Sequence, residues 1–256
     1  MSIKNLEKKL NGELSVTREE LLVLVSSWGR KLGFYTKDSQ NKDIYIEECE
    51  PKECYDLSKL DVSQITNMSD VFIFSKFNGD ISSWNMSSVT NMRYMFYNAR
   101  KFNQPLNFDT SKVTSMEGMF CSAEKFNQPL NFDTSKVTSL DGIFYNASSF
   151  NQELNFDTSK VTSMNSMFGY AESFNQPLIF DTSNVTSMKE MFYNARVFNQ
   201  KLNFITSNVT NMKLMFCNAE KFNQELNFDT SNVTSMISMF SYAKSFNQPL
   251  NFDTSS

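Results

Sequence analysis

The dipeptide Phe-Asn recurs at positions 77, 102, 126, 150, 174, 198, 222 and 246, first after 25 residues and then every 24. A period in this range marks stacked supersecondary units. No single unit can bury its own apolar face, so each must cover its neighbour. One full unit reads Phe102-Asn103-Gln104-Pro105-Leu106-Asn107-Phe108-Asp109-Thr110-Ser111-Lys112-Val113-Thr114-Ser115-Met116-Glu117-Gly118-Met119-Phe120-Cys121-Ser122-Ala123-Glu124-Lys125. Seven full units fill 77–245. A degenerate one at 55–76 has Leu57, Leu60, Ile65, Met68, Val71 and Phe72 in the matching places, and a partial one runs over 246–256. The unit at 77 carries its extra residue between Ile81 and Val89, so a turn there should bulge.

Within the unit, Leu106-Asn107-Phe108 alternates apolar and polar, as a very short strand does. Asp109-Thr110-Ser111 is turn chemistry, because Asp and Ser side chains bond backbone groups close by. Thr114 or Ser115 then fits a helix N-cap, and Met116, Met119, Phe120 and Ala123 follow at i, i+3, i+4 and i+7. The reading is an α/β repeat: a solenoid of 24–25-residue coils, each a short parallel strand plus a short helix, part of which could be a 3₁₀ turn. Phe stacks on Phe from coil to coil and Met fills the gaps, with Phe156 a core residue near the middle. The Asn of each Phe-Asn, such as Asn103, Asn127 and Asn151, should form an inward ladder that satisfies turn backbone groups of its own and the next coil.

Residues 1–54 do not repeat. Thr17-Arg18-Glu19-Glu20 has capping-box spacing, and Leu21, Leu22, Val25 and Trp28 give an amphipathic face through about Lys31, with Gly33 as a stop. Ile3, Leu6 and Leu10 suggest a shorter helix before it, and Asp43-Ile44-Tyr45-Ile46-Glu47 alternates like a strand. A solenoid end exposes apolar core and strand edge, so 1–54 reads as an N-terminal helical cap on the 55–256 solenoid. The rival reading is an adaptor helix that recruits a partner.

The outward positions carry repeated columns. Asp109, Asp133, Asp157, Asp181, Asp229 and Asp253 form one, interrupted by Ile205. It reads either as a strip for a cation or basic peptide, or as an Asp bonding the backbone of each turn. The turn reading is favoured because like charges roughly 5 Å apart repel unless each is locally bonded. Thr110, Thr134, Thr158 and their equivalents form a hydroxyl column, and Thr114, Thr138 and Thr162 begin a second. Such arrays could suit ice or a glycan, or could serve turns and caps. Before each Val, Lys112, Lys136 and Lys160 give way to Asn184, Asn208 and Asn232, so positive charge is confined to the earlier coils. Phe246, Leu250 and Phe252 have no coil after them in the sequence, which suggests a C-terminal docking edge for end-on association.

The unit at 77, with Phe77, Asn78, Asp80, Ile81, Trp84, Val89, Thr90, Met92, Met95 and Phe96, resembles the repeat of the BspA-like leucine-rich-repeat surface protein family. The same type of domain is known from mycoplasma lipoproteins and some large DNA viruses. In later units Phe108, Phe132 and Phe156 replace the Trp and one residue is lost. The resemblance implies a right-handed leucine-rich-repeat-like solenoid. For bacterial members it implies attachment or host interaction at a cell surface, and it supplies no catalytic residues.

Histidine is absent from all 256 residues, which removes the Ser-His-Asp and Cys-His arrangements and the commonest metal ligand. Every unit carries nearly the same polar set, whereas catalysis needs a unique constellation, so no enzyme, cofactor or metal is expected. Cys49, Cys54, Cys121 and Cys217 read as free thiols. The net charge of −4 disfavours nucleic acid, and no apolar run approaches membrane-spanning length. The start lacks a signal-peptide core, so the expected setting is intracellular or, as in the viral relatives, virion-associated. The expected function is a non-enzymatic protein-binding or scaffold surface. The alternative is a structural component of a larger assembly, such as a virus particle or cell-surface protein.

Overall fold

Thr17 and Glu20 satisfy each other's backbone at the start of a helix, in a computed structural model that describes residues 3–26 and 55–253. The Glu20 N–H donates to Thr17 Oγ1 at 3.2 Å, and the Thr17 N–H donates to Glu20 Oε2 at 2.9 Å, which is the capping box expected from the spacing. The helix is α2, Arg18–Ser26, and it follows α1, Ile3–Leu10. Leu21, Leu22, Leu24 and Val25 of α2 are buried in the same core as the first repeats. Arg18 locks α2 there by donating from Nε to the Asn67 carbonyl at 3.1 Å and from Nη2 to the Ser69 carbonyl at 2.8 Å. Between the helices the Val16 N–H donates to the Asp61 carbonyl at 2.9 Å. Trp28, Lys31, Gly33, the alternating segment at 43–47, Cys49 and Cys54 lie outside the described residues.

From 55 to 253 each repeat bonds the next. The Met92, Tyr94, Phe96 and Asn98 N–H groups donate to the carbonyls of Ser115, Glu117, Met119 and Cys121, each 23 residues on, at 2.7–2.9 Å. The residues between them close i→i−3 turns, for example Met95 to Met92 and Tyr97 to Tyr94. Single-residue parallel bridges join equivalent positions, as in Asn67–Asn91–Ser115 and Leu106–Leu130–Leu154. Among the described residues of the repeats there is neither a longer strand nor a helix.

The short helix expected over 116–123 is therefore replaced by a chain of tight turns. The reason is competition for backbone donors. An α-helix would return every N–H to the carbonyl four residues back, and here every second one is already committed to the next repeat. The turns need a left-handed residue at two places per repeat. Tyr94, Gly118, Gly142 and Ser166 occupy the first, and Asn98, Ser122, Asn146 and Tyr170 the second, at φ between 52° and 58°. The Thr114 N–H and hydroxyl do not cap a helix either. Both go to the Thr90 carbonyl of the preceding repeat, at 2.8 and 3.2 Å.

The core is three columns of phenylalanine. Phe96, Phe120, Phe144, Phe168, Phe192 and Phe216 stack at 5.5–5.8 Å between centroids. The Phe102 column stacks at 6.0–6.1 Å, and each of its rings from Phe102 to Phe246 also lies 4.0–4.2 Å from the phenylalanine six residues before it, as with Phe120 and Phe126. The Phe108 column is spaced 6.4–6.5 Å. The rings thus crowd on the side of the turns and spread on the side of Phe108. Phe156 is buried, as are Met116, Met119, Ala123 and their equivalents through Ala219, which fill between columns. The extra residue of the unit at 77 is taken up in a turn closed by the Trp84 N–H on the Ile81 carbonyl at 3.1 Å.

The asparagine ladder runs the length of the repeats, half-buried from Asn103 to Asn223 and exposed at its ends, Asn78 and Asn247, rather than fully inward. Asn127 Oδ1 accepts from the Asn151 N–H at 2.9 Å, and the same bond recurs from Asn78–Asn103 through Asn223–Asn247. Gln152 Nε2 follows the rail, donating to both the carbonyl and the Oδ1 of Asn127.

Candidate functional site

The uniform polar columns are largely occupied with holding their own backbone. Asp109, Asp133, Asp157, Asp181 and Asp229 each accept the N–H of the Ser two residues on at 2.9–3.0 Å, and their carboxylates are exposed. The Ser hydroxyl, then the Ser N–H, holds each of these carboxyls below its usual range. Lys136 Nζ donates to the Ser111 carbonyl at 2.8 Å, and after the switch of residue type Asn184 Nδ2 donates to the equivalent Ser159 carbonyl at 2.7 Å. The change from lysine to asparagine keeps this bond and removes the charge. Lys112 and Lys160 stand in the same column, exposed.

The first hydroxyl column is not a surface. Thr110, Thr134, Thr158, Thr182, Thr206 and Thr230 are buried, and each donates to the carbonyl 23 residues on, as Thr158 does to Asp181 at 2.8 Å. The second column, from Thr114 onward, is exposed, and Thr114, Thr162, Thr186, Thr210 and Thr234 bond the preceding repeat. At the far end, Phe246 stacks on Phe222 at 6.0 Å and on Phe240 at 4.2 Å, Phe252 stacks on Phe228 at 6.4 Å, and Leu250 is exposed.

The turn face behaves differently. Leu106, Phe108 and Val113 are matched by the same residue in every later repeat that reaches them, whereas the turn positions change from one repeat to the next. The column through Glu117 reads Arg93, Glu117, Asp141, Asn165, Lys189, Lys213 and Ile237. The column through Cys121 reads Tyr97, Cys121, Tyr145, Gly169, Tyr193, Cys217 and Ser241. These side chains stand outside the three ring columns, so packing does not dictate them.

A groove of about 560 Å³ opens on this face, walled by Phe74, Tyr94, Tyr97 and Tyr145, with Gly118, Gly142, Cys121, Asp141 and Asn165 along it. Its shape follows from where side chains are missing. The Tyr94 ring lies over Gly118 so closely that a Cβ there would meet Cε1 at 2.2 Å. Tyr145 likewise lies over the glycine of the next repeat, Gly169, where a Cβ would meet its Cδ2 at 2.9 Å. Tyr97 and Tyr145 are two repeats apart, about 10 Å at the usual strand spacing, with only Cys121 between them in their column. Beyond Tyr145 the aromatic strip continues, Tyr170 meeting Tyr145 at 5.4 Å and Tyr193 at 5.1 Å, both edge to face.

Burial pushes the Cys121 thiol up to about 11 and raises the phenols of Tyr97 and Tyr145, so all three are neutral at physiological pH. A neutral thiol is a poor nucleophile and a poor metal ligand. Among the described residues no three His, Cys, Asp or Glu side chains converge as a metal site would require, and no helix is long and apolar enough to cross a membrane. The sequence reading passed over the groove and singled out the uniform columns instead. The available signal was the opposite one, the positions where repeats disagree, together with glycines at 118 and 142.

Three stretches of the chain, 43–132, 130–205 and 202–256, match the model of a family described as "Mycoplasma protein of unknown function, DUF285". No curated protein and no solved structure matches the chain. Since the three matches together run without a gap from 43 to 256, the chain belongs to the DUF285 family.

Proposed function

We propose that residues 55–256 form a right-handed, leucine-rich-repeat-like solenoid of the BspA-like type, capped by 1–54, that serves as a non-enzymatic protein-binding or scaffold surface. The mycoplasma-type family and the bonding of each repeat to the next, 23 residues on, support the architecture. One observation carries the function. Variation between repeats concentrates on the turn face, and that face holds an apolar groove walled by aromatic rings. Duplicated units need not diverge where packing fixes them; a face free to diverge and furnished with tyrosine has the composition of a recognition surface. The neutral thiol and phenols give the groove no activated nucleophile, which supports binding over catalysis.

The test is selection of displayed peptides on the intact chain, followed by measurement on Cys121→Tyr. Tyrosine already stands at 97, 145 and 193 in that column, so the substitution fills the groove with a residue the fold accepts. Selected peptides should lose binding to Cys121→Tyr and keep it in Asn155→Lys, an exposed change in the Leu-Asn-Phe segment outside the groove lining. Peptides that bind both variants equally, or no selected peptides at all, would remove the groove from the function.

A further inference from the structure

Among the described residues, Asp141 is the one acidic side chain lining the groove, and it joins no ion pair. Only neutral donors hold its carboxylate: the Ser163 hydroxyl at 2.6 Å, the Asn165 N–H at 2.7 Å and Asn165 Nδ2 at 3.3 Å. The walls are rings. Phe74 and Tyr94 each stand edge-on to Tyr97, at interplanar angles of 79° and 78° and centroid distances of 5.5 and 5.6 Å. The face of an aromatic ring is electronegative, so rings combined with an uncompensated carboxylate favour a cation over a neutral guest.

The same face already displays the contact on a small scale. Arg93 places its guanidinium carbon 4.9 Å from the Tyr94 ring centroid and pairs Nε with Glu117 Oε2 at 3.0 Å. One repeat further along that column Asp141 takes the place of Glu117, tyrosine is again at hand, and among the described residues no arginine pairs with it.

We propose that the groove receives an arginine side chain of a partner polypeptide, its guanidinium against the rings of Tyr97 and Tyr145 and Asp141 as its counter-charge. This rests on the protein-binding reading and names the anchor it uses. Arginine fits better than lysine because its planar, weakly hydrated guanidinium stacks on ring faces, whereas an ammonium holds its water more tightly.

The experiment titrates the full chain with an acetylated, amidated Gly-Gly-Arg-Gly-Gly peptide, and with versions carrying citrulline, lysine or phenylalanine at the centre. Binding is followed through NMR shifts of the groove tyrosines. The arginine peptide should bind about tenfold tighter than its neutral citrulline isostere. Asp141→Asn should weaken it about fivefold and flatten its salt dependence. That variant should fold normally, since Asn165 already performs the equivalent role one repeat on, accepting from Ser187 Oγ at 2.6 Å and the Lys189 N–H at 3.0 Å. Citrulline or phenylalanine binding as tightly as arginine, and blocked by Cys121→Tyr, would leave the groove a protein-binding site and overturn the arginine assignment. The absence of any groove shift with the arginine peptide at millimolar concentration would also overturn it. Failure of the broader reading has its own signature, the absence of groove-dependent peptides from the unbiased selection.

Discussion

Asn151 sits at mid-rail in the asparagine ladder, and truncating it asks what the ladder contributes. Its Oδ1 accepts two bonds, from the Asn175 N–H at 2.9 Å and from Gln176 Nε2 at 3.1 Å. Alanine removes both acceptors at once. Gln176 keeps its second bond, to the Asn151 carbonyl at 3.2 Å, so the main casualty is the backbone N–H of Asn175. A donor left unsatisfied in the interior costs about 1–3 kcal/mol, and the half-buried rail lets water recover part of that. Asn151→Ala should therefore cost about 1–2 kcal/mol, read as a fall in urea midpoint at unchanged slope by circular dichroism. Asn151→Asp separates the acceptor from everything else asparagine does. At pH 7 its carboxylate still accepts both bonds, so its loss should be less than half that of alanine. If aspartate costs as much as alanine, the ladder does not work through that oxygen and the reasoning fails. If neither change moves the midpoint, the rail is a passenger of the phenylalanine columns.

Other parts of the fold make separable predictions. Phe144 has no exposed surface and touches three rings, at 4.0 Å (Phe150) and 5.8 Å (Phe120 and Phe168), so Phe144→Ala should cost about 3–5 kcal/mol in the same unfolding assay. A loss below about 1 kcal/mol would mean that the columns are not tightly packed. Thr158→Val keeps shape but strands the Asp181 carbonyl of the next repeat, and should cost about 1–2 kcal/mol; Thr162→Val, in the exposed column, should cost under about 0.5 kcal/mol because water replaces its bond. The turn carboxyls of Asp109, Asp133, Asp157, Asp181 and Asp229 all lie below their ordinary value of 3.8 in the folded chain. Their contribution is present above that value and is lost as pH falls through their lower folded values, so the urea midpoint should drop on acidification below about pH 4. Replacing Asp133, Asp157 and Asp181 together by Asn, which keeps the Oδ1 acceptor, should shrink that drop.

How much of this was legible depended on the range of the interaction. The Thr17–Glu20 box and the Asp–Ser turns involve residues two or three apart, so short-range chemistry was enough to read them. The asparagine rail was legible for a different reason. A polar side chain repeated beside a buried Phe must be paired, and its nearest equal is itself one repeat on. The turns were misread because Met116, Met119, Phe120 and Ala123 have helical spacing, and apolar spacing reports which residues face the core, not where the backbone N–H groups go. The corrective signal was present but diluted. Asn98, Asn146, Asn194 and Asn218 recur at one left-handed position and Gly118 and Gly142 at the other, residues that tolerate φ above zero. Tyr94, Tyr170 and Leu214 stand in the same columns and hide the pattern.

The site was hidden by a related confusion, between what is repeated and what is available. An outward column present in every repeat looks like a binding array, yet repetition is also what a stack needs to bond itself. Asp133 is engaged by Ser135, Lys136 by the Ser111 carbonyl, and Thr134 by the Asp157 carbonyl of the next repeat. When lysine yields to asparagine at 184, the bond to the preceding repeat survives, so selection for that bond alone can maintain the column. Positions with no such duty are free to differ, and a partner that must find one register on a periodic rod can use only differences. Gly118 and Gly142 beside Tyr97 and Tyr145 provide one: a groove whose residues the 24-residue period does not repeat, lined by an aspartate whose column neighbours are Glu117, already paired with Arg93, and the neutral Asn165.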